Sequence, residues 1–146
     1  MKDVNRFLSL GSYAIAGVSR DPKKFGQVMF RDLRKKGMDV VPVNPAGGTI
    51  DGVSFYRSVS DLPSSVKGLI FMTPKEQTLS VAREAIAHGI KDLWIQQGAE
   101  TKETIAELEK EEVNLIHHQC IMMFWKPNGV HSFHRFLKKI FGGLPA

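Results

Sequence analysis

The stretch Gly17-Val18-Ser19-Arg20-Asp21-Pro22-Lys23-Lys24-Phe25-Gly26 gathers the residue types that a phosphate site needs. Glycine lets a backbone come close to a ligand, Ser19 carries a hydroxyl, and Lys23 and Lys24 bring compact positive charges. An apolar run, Tyr13-Ala14-Ile15-Ala16, precedes the loop and a helical pattern follows it. The loop therefore leads into a helix N-terminus, with its free N–H groups and partial positive charge. Anion binding is the chemistry expected here; the alternative is a solvated turn whose glycines serve packing. Only Gly17 and Gly26 punctuate the loop, so it matches neither the dinucleotide fingerprint G-x-G-x-x-G nor a Walker A loop.

Two more segments follow apolar runs. Val43-Asn44-Pro45 ends the second run, at the point where a nicotinamide-adenine domain carries Asp or Glu for the ribose hydroxyls. Asn44 in that place speaks against NAD. A 2′-phosphorylated cofactor calls for a basic residue there, and Ala46-Gly47-Gly48 supplies none. Thr73-Pro74 follows the third run and reads as a helix start: Thr73 as N-cap, Pro74 in the first helical position, and Glu76 as the acidic partner of a capping box. The pair is equally suited to touch a sugar or an extended chain, and both roles stay open.

His117, His118, Cys120, His131 and His134 crowd the carboxyl third. Imidazoles and a thiolate are zinc ligands, but the spacing is that of no zinc motif, and neighbours on a strand such as His117 and His118 are expected to face opposite ways. No metal is assigned. No nucleophile is paired with a base, so no catalytic residue is assigned either.

The elements that must position these loops are written in the hydrophobic pattern. Short apolar runs at Tyr13–Val18, Asp39–Val43, Gly68–Met72, Leu93–Ile95 and Val113–Ile116 predict five strands buried on both faces. Thr49–Phe55 predicts an irregular extension around Gly52. Helical patterns lie between the runs: Gln27–Leu33 with a stop at Gly37, Thr73–His88 with a stop at Gly89, and Thr101–Glu112. A last helix is expected from Ser132 and a loose tail from Phe141. Strand and helix alternate at βαβ spacing, which predicts a Rossmann-like, doubly wound α/β fold: a mainly parallel five-stranded sheet with helices on both faces. Ligands in such sheets bind beyond the carboxyl ends of the strands, which is where the three loops lie.

With 146 residues, 42% hydrophobic and 24% charged, the chain has the size and composition of one soluble globular domain, here residues 1–146. A single cysteine forms no intramolecular disulfide and fits a reducing compartment, and no apolar stretch reaches a membrane span, so a cytoplasmic location is expected. The net charge of +5 favours anionic partners without choosing among them. Arg34-Lys35-Lys36 reads as a solvated helix C-terminus. Aromatic and basic residues are not interleaved as in RNA-binding modules, which places nucleic acid last. The apolar segment Ile121–Trp125, with Phe133, Phe136, Leu137, Ile140 and Phe141, reads as core or as a lid or self-association face for a homo-oligomer.

Ala16-Gly17-Val18-Ser19, Lys24-Phe25-Gly26, Val41-Pro42-Val43-Asn44-Pro45, Ala85-Ile86-Ala87-His88-Gly89-Ile90-Lys91 and Leu93-Trp94-Ile95-Gln96-Gln97-Gly98-Ala99 together resemble the CoA-binding domain family. These are small stand-alone proteins similar to the amino-terminal domain of the succinyl-CoA synthetase α subunit. The likeness covers Ser12 to Cys120. It implies that coenzyme A or an acyl-CoA lies across the strand ends of a non-catalytic binding or sensor module. By that likeness Gly17, Ser19 and Lys24 meet the phosphates, with Val18, Arg20, Lys23, Phe25 and Gly26 in the same loop. Val43, Asn44 and Pro45 meet the nucleotide, Thr73 and Pro74 the mid-region, and Gln97 and Gly98 the pantetheine side. The synthetase's phosphorylated histidine belongs to a second domain that is not in this sequence, so ligase activity does not carry over. Cys120 matches a cysteine common in the family and suggests a mixed disulfide with the CoA thiol. The competing readings are an NAD(P)-binding oxidoreductase-type domain and a basic module for protein or nucleic acid.

Overall fold

A computed structural model of the chain describes residues 3–125. Its elements, in order, are α1 (Val4–Leu8), β1 (Tyr13–Ala16), α2 (Phe25–Lys35), β2 (Val40–Val43), β3 (Thr49–Ile50), β4 (Val53–Ser54), β5 (Gly68–Phe71), α3 (Thr78–Ala87), β6 (Asp92–Ile95), α4 (Lys102–Leu108) and β7 (Asn114–Ile116). Five strands pair in parallel in the order β2-β1-β5-β6-β7. The chain moves outward from β1 to β2, then returns to the other side of β1 for β5. The connections leaving β1 and β5 therefore diverge, and a crevice opens between them at the carboxyl ends of the strands.

Alternation along each strand divides the core. Tyr13, Ile15, Ile70, Trp94 and Ile116 face a cluster with Phe7 of α1, Met29, Phe30 and Leu33 of α2, and Ile121 and Met122. Ala14, Ala16, Leu69, Phe71, Leu93, Ile95 and Leu115 face Ala82 and Ala85 of α3 and Ile105 and Leu108 of α4. Both faces of the sheet are covered, which is why its strands are apolar at successive positions. The expected doubly wound Rossmann-like sheet is the observed one.

Pro42 sits in β2 at little cost, because its position faces the outer edge. Tyr56 N–H donates to Pro42 O at 2.9 Å, and Asn44 N–H donates to Tyr56 O at 2.9 Å, so Phe55-Tyr56 runs beside β2 without needing the missing N–H. The stretch around Gly52 is more regular than expected. β3 and β4 form an antiparallel hairpin, turned by Asp51 and Gly52 at φ of +49° and +81°, which are the signs a two-residue type I′ turn requires.

Other boundaries differ from the sequence pattern. α1 has no counterpart in the expected elements; Asp3 caps it by accepting from Arg6 N, and Phe7 anchors it. α3 begins at Thr78, not Thr73, because the Thr73 hydroxyl is engaged by Thr78 and Pro74–Gln77 close a separate turn through a 2.8 Å bond from Gln77 N to Pro74 O. α4 ends at Leu108, short of Glu112: Glu109, Glu111 and Glu112 would place negative charge at the negative end of the helix. Ile121 and Met122 are core, and Trp125 packs edge-on to Tyr13 with its indole N–H on Lys36 O at 3.2 Å. The helix expected from Ser132, the tail from Phe141, and His131 and His134 lie outside the described residues. Among the described residues no helix is long and apolar enough to cross a membrane.

Candidate functional site

The loops after β1, β2 and β5 enclose a cleft of about 610 Å³, a size suited to a cofactor. Ala16, Gly17 and Ser19 line one side, Val43 to Ala46 with Arg57 to Val59 another, and Thr73, Pro74, Gln77, Val81 and Glu84 the third.

Gly17 brings the first and third loops together. Its φ is +93°, and a Cβ there would stand 2.7 Å from the Met72 carbonyl carbon, so the two backbones touch. Gly26 seats the start of α2 on the same loop, since a Cβ there would be 3.2 Å from Gly17 O. Between them Ser19 Oγ accepts from Asp21 N at 3.0 Å and Asp21 Oδ1 accepts from Lys23 N at 2.9 Å. These local turns carry the chain from the cleft to Lys24. Lys24 is the N-cap of α2 and makes no side-chain cap bond, so the positive helix end is not offset by a capping side chain.

Asn44 is a strut. Its Nδ2 donates to Val18 O at 2.8 Å while its Oδ1 accepts from Ala46 N at 2.9 Å. An aspartate there would lose the donor that ties the second loop to the first, which explains on structural grounds why this position lacks an acid.

Thr78 is fully buried and has one hydroxyl proton. The short 2.6 Å bond to Ala99 O takes it, so Thr73 must be the donor across the 2.6 Å contact between the two threonines. Thr73 Oγ1 therefore faces the cleft as an acceptor, ready for a ligand N–H or O–H. Through Thr78 and Ala99 the third loop is also fastened to the segment after β6.

Of the residues singled out in the sequence, Gly17, Ser19, Val43, Asn44, Pro45, Thr73 and Pro74 meet in the cleft. Val18 is buried in the core and Phe25 packs against the same cluster. Arg20, Lys23 and Lys24 are exposed beside the first loop. Gln97 and Gly98 lie beyond β6, off the lining, with Gly98 N donating to Glu100 Oε1 at 3.1 Å. Arg57, Gln77 and Glu84 line the cleft without having been singled out. Arg57 donates to Pro45 O at 3.1 Å, and the Glu84 carboxylate accepts from Ser60 N at 3.3 Å and from the Ser60 hydroxyl. Arg57 is carried in by the Tyr56 pairing with β2, which no local motif announces.

The carboxyl-side groups stand apart from the cleft. Cys120 is 2% exposed and burial pushes its thiol pKa up, although Gln96 Nε2, 3.1 Å away, pulls the other way. A buried, protonated thiol is a poor partner for a mixed disulfide. His117 and His118 do not face opposite ways as expected. β7 ends at Ile116, and His118 adopts φ of +60°, which brings the two Nδ1 atoms into contact. Among the described residues no three potential metal ligands cluster.

Residues 11–126 match the family model described as CoA binding domain. The chain is 32% identical over 140 residues to the α subunit of an ADP-forming acetate–CoA ligase II from Pyrococcus furiosus, an alignment that takes in 92% of this chain and 30% of that subunit. A conserved hypothetical protein of known structure from Pyrococcus furiosus is 42% identical with a TM-score of 0.74, covering 77% of this chain and 97% of that one. The dinucleotide-forming acetyl-coenzyme A synthetase 1 of Ca. Korarchaeum cryptofilum, solved with phosphate and ADP, is 25% identical with a TM-score of 0.65 and covers 79% of this chain and 27% of the synthetase. The chain thus spans less than a third of each of these two large proteins and nearly all of the small one. On the match over residues 11–126, this chain belongs to the CoA-binding domain family.

Proposed function

We propose that this domain binds coenzyme A or an acyl-CoA in the cleft between β1, β2 and β5 as a non-catalytic module. The observation that carries the reading is the meeting of three loops at the switch point of the sheet, in a chain of this family. The donor and charge set suits the ligand. The backbone of Gly17 to Gly26, the Ser19 hydroxyl, Lys24 and the start of α2 receive the pyrophosphate, with Arg20 and Lys23 close by. Val43, Asn44 and Pro45 hold the nucleoside. Thr73 Oγ1 accepts from an N–H or O–H of the mid-region, and Gln97 and Gly98 mark the pantetheine side.

Bound CoA supplies a thiol that carries acyl groups; the chain's own part is to bind and orient it. A thermal-shift titration with CoA, acetyl-CoA, NAD, NADP and ATP at one ionic strength tests the reading. The CoA species should raise the transition selectively, adding about 2.7 kcal/mol at 100-fold over Kd. A transition that none of the five moves would refute it.

A further inference from the structure

Resting on the CoA reading above, we infer that Gln27 is a positioning residue for the bound anion. Its side-chain amide turns a carbonyl of the loop after β1 inward, so that the loop meets a phosphate with donors only. Gln27 sits in the first turn of α2, is 3% exposed, and is not among the residues that line the cleft. Its Nε2 donates to Ser19 O at 3.0 Å. Asn44 Nδ2 holds the preceding carbonyl, Val18 O, at 2.8 Å. Two amides from different elements therefore take two successive carbonyls of one loop. A carbonyl oxygen facing a phosphate would repel it, and neither of these can turn that way while its amide partner is in place.

The peptide units concerned are trans, so the N–H of each points opposite to its C=O. Ser19 N–H and Arg20 N–H thus point away from the two amides, and neither meets an acceptor among the described residues. Backbone donors left free in a turn that leads into a helix N-terminus are suited to an anion. A second observation separates this role from packing. Gln27 Oε1 is buried and has no partner among the described residues. An unsatisfied buried oxygen costs stability, so an apolar side chain of the same length would fill the space better. The half of the amide that is used is the half that holds Ser19 O.

The test uses the full chain, as wild type and as Gln27→Met, with CoA and inorganic pyrophosphate as ligands. In nitrogen–proton correlation spectra of wild type, the amide protons of Ser19 and Arg20 should move downfield when either ligand is added. Gln27→Met keeps the length of the side chain but has no N–H to donate, and calorimetry should find CoA bound about tenfold more weakly. Its thermal transition without ligand should stay at or above that of wild type, because the substitution also removes the buried oxygen that lacks a partner. An unchanged CoA affinity overturns the inference. So does a transition that falls together with the affinity, which would make Gln27 a brace for the fold and nothing more. Wild type that binds CoA with both amides unmoved overturns it too, whatever the variant does. Pyrophosphate binding that moves both amides, without CoA binding, would uphold the role of Gln27 and overturn the CoA reading; binding of neither ligand ends both.

Discussion

Replacing Gly17 with alanine separates two costs that most glycine substitutions confound. At φ of +93° an L residue pays for left-handed backbone, about 1–2 kcal/mol. The new Cβ would also stand 2.7 Å from both Met72 C and O and 2.8 Å from Thr73 N. Those are backbone atoms at the end of β5 and cannot swing aside, so overpacking adds about 1–3 kcal/mol. Gly98 supplies the control: its φ is +100°, but nothing lies within 4 Å of its Cβ position, so Gly98→Ala carries the backbone cost alone. Gly26 supplies a second, with ordinary φ and a Cβ position 3.2 Å from Gly17 O. There the helix-propensity gain of about 1 kcal/mol offsets a slight shift of the loop. Urea unfolding followed by the fluorescence of buried Trp94 should rank the losses as Gly26→Ala near zero, Gly98→Ala about 1–2 kcal/mol and Gly17→Ala about 2–5 kcal/mol. In a chain of this length that places the Gly17→Ala transition roughly 6–15 °C low. Equal losses at Gly17 and Gly98 would refute the backbone contact between the first and third loops, and with it the account of how the cleft is closed at its base.

Two further expectations concern groups around the site. Thr78→Val keeps the shape but strands Ala99 O and the Thr73 hydroxyl, which should cost about 2–3 kcal/mol in equilibrium unfolding, whereas Thr78→Ser, which restores the relay, should stay within about 1 kcal/mol of wild type. A valine variant as stable as wild type would end the relay. Cys120 has a raised pKa in the folded state because burial disfavours its thiolate, so the folded chain keeps the proton after the unfolded chain has released it. Its contribution is complete below the unfolded thiol's range, and stability should fall as pH rises above about 8.5. Tyr13, raised for the same reason, extends the fall above about pH 10. Unfolding free energies between pH 7 and 10 should show a shallower fall in Cys120→Ala; an unchanged slope would remove the thiol from the account.

The sheet was legible because its signal is local. Tyr13–Ala16, Gly68–Phe71 and Leu93–Ile95 are buried on both faces, so every position is apolar or small and the run stands out without reference to any partner. Asp92 shows where that reading stops. It opens β6 as a buried carboxylate, a residue that composition would assign to a loop. Its place is secured by Arg6 Nε at 2.9 Å and Asn114 Nδ2 at 3.1 Å, neighbours that exist only once α1 and β7 are folded against it. α1 itself is five residues long, too short for a helical period to declare itself, and stands on one cap and one buried phenylalanine.

The site divides along the same line. The glycine loop after β1 announces itself because strand, turn and helix start are contiguous in sequence. The β2 end does not, and the reason lies in what a glycine can mean. Ala46-Gly47-Gly48 reads as a segment without charge, and so as one that offers no basic residue to a 2′-phosphorylated cofactor. In the folded chain Arg57 arrives along the Tyr56 pairing with β2 and Arg20 from the first loop, and their side chains lie beside Gly47 and Gly48. The charge beside the end of the second strand is therefore set by side chains that tertiary pairing delivers, and the residues of the segment itself do not report it.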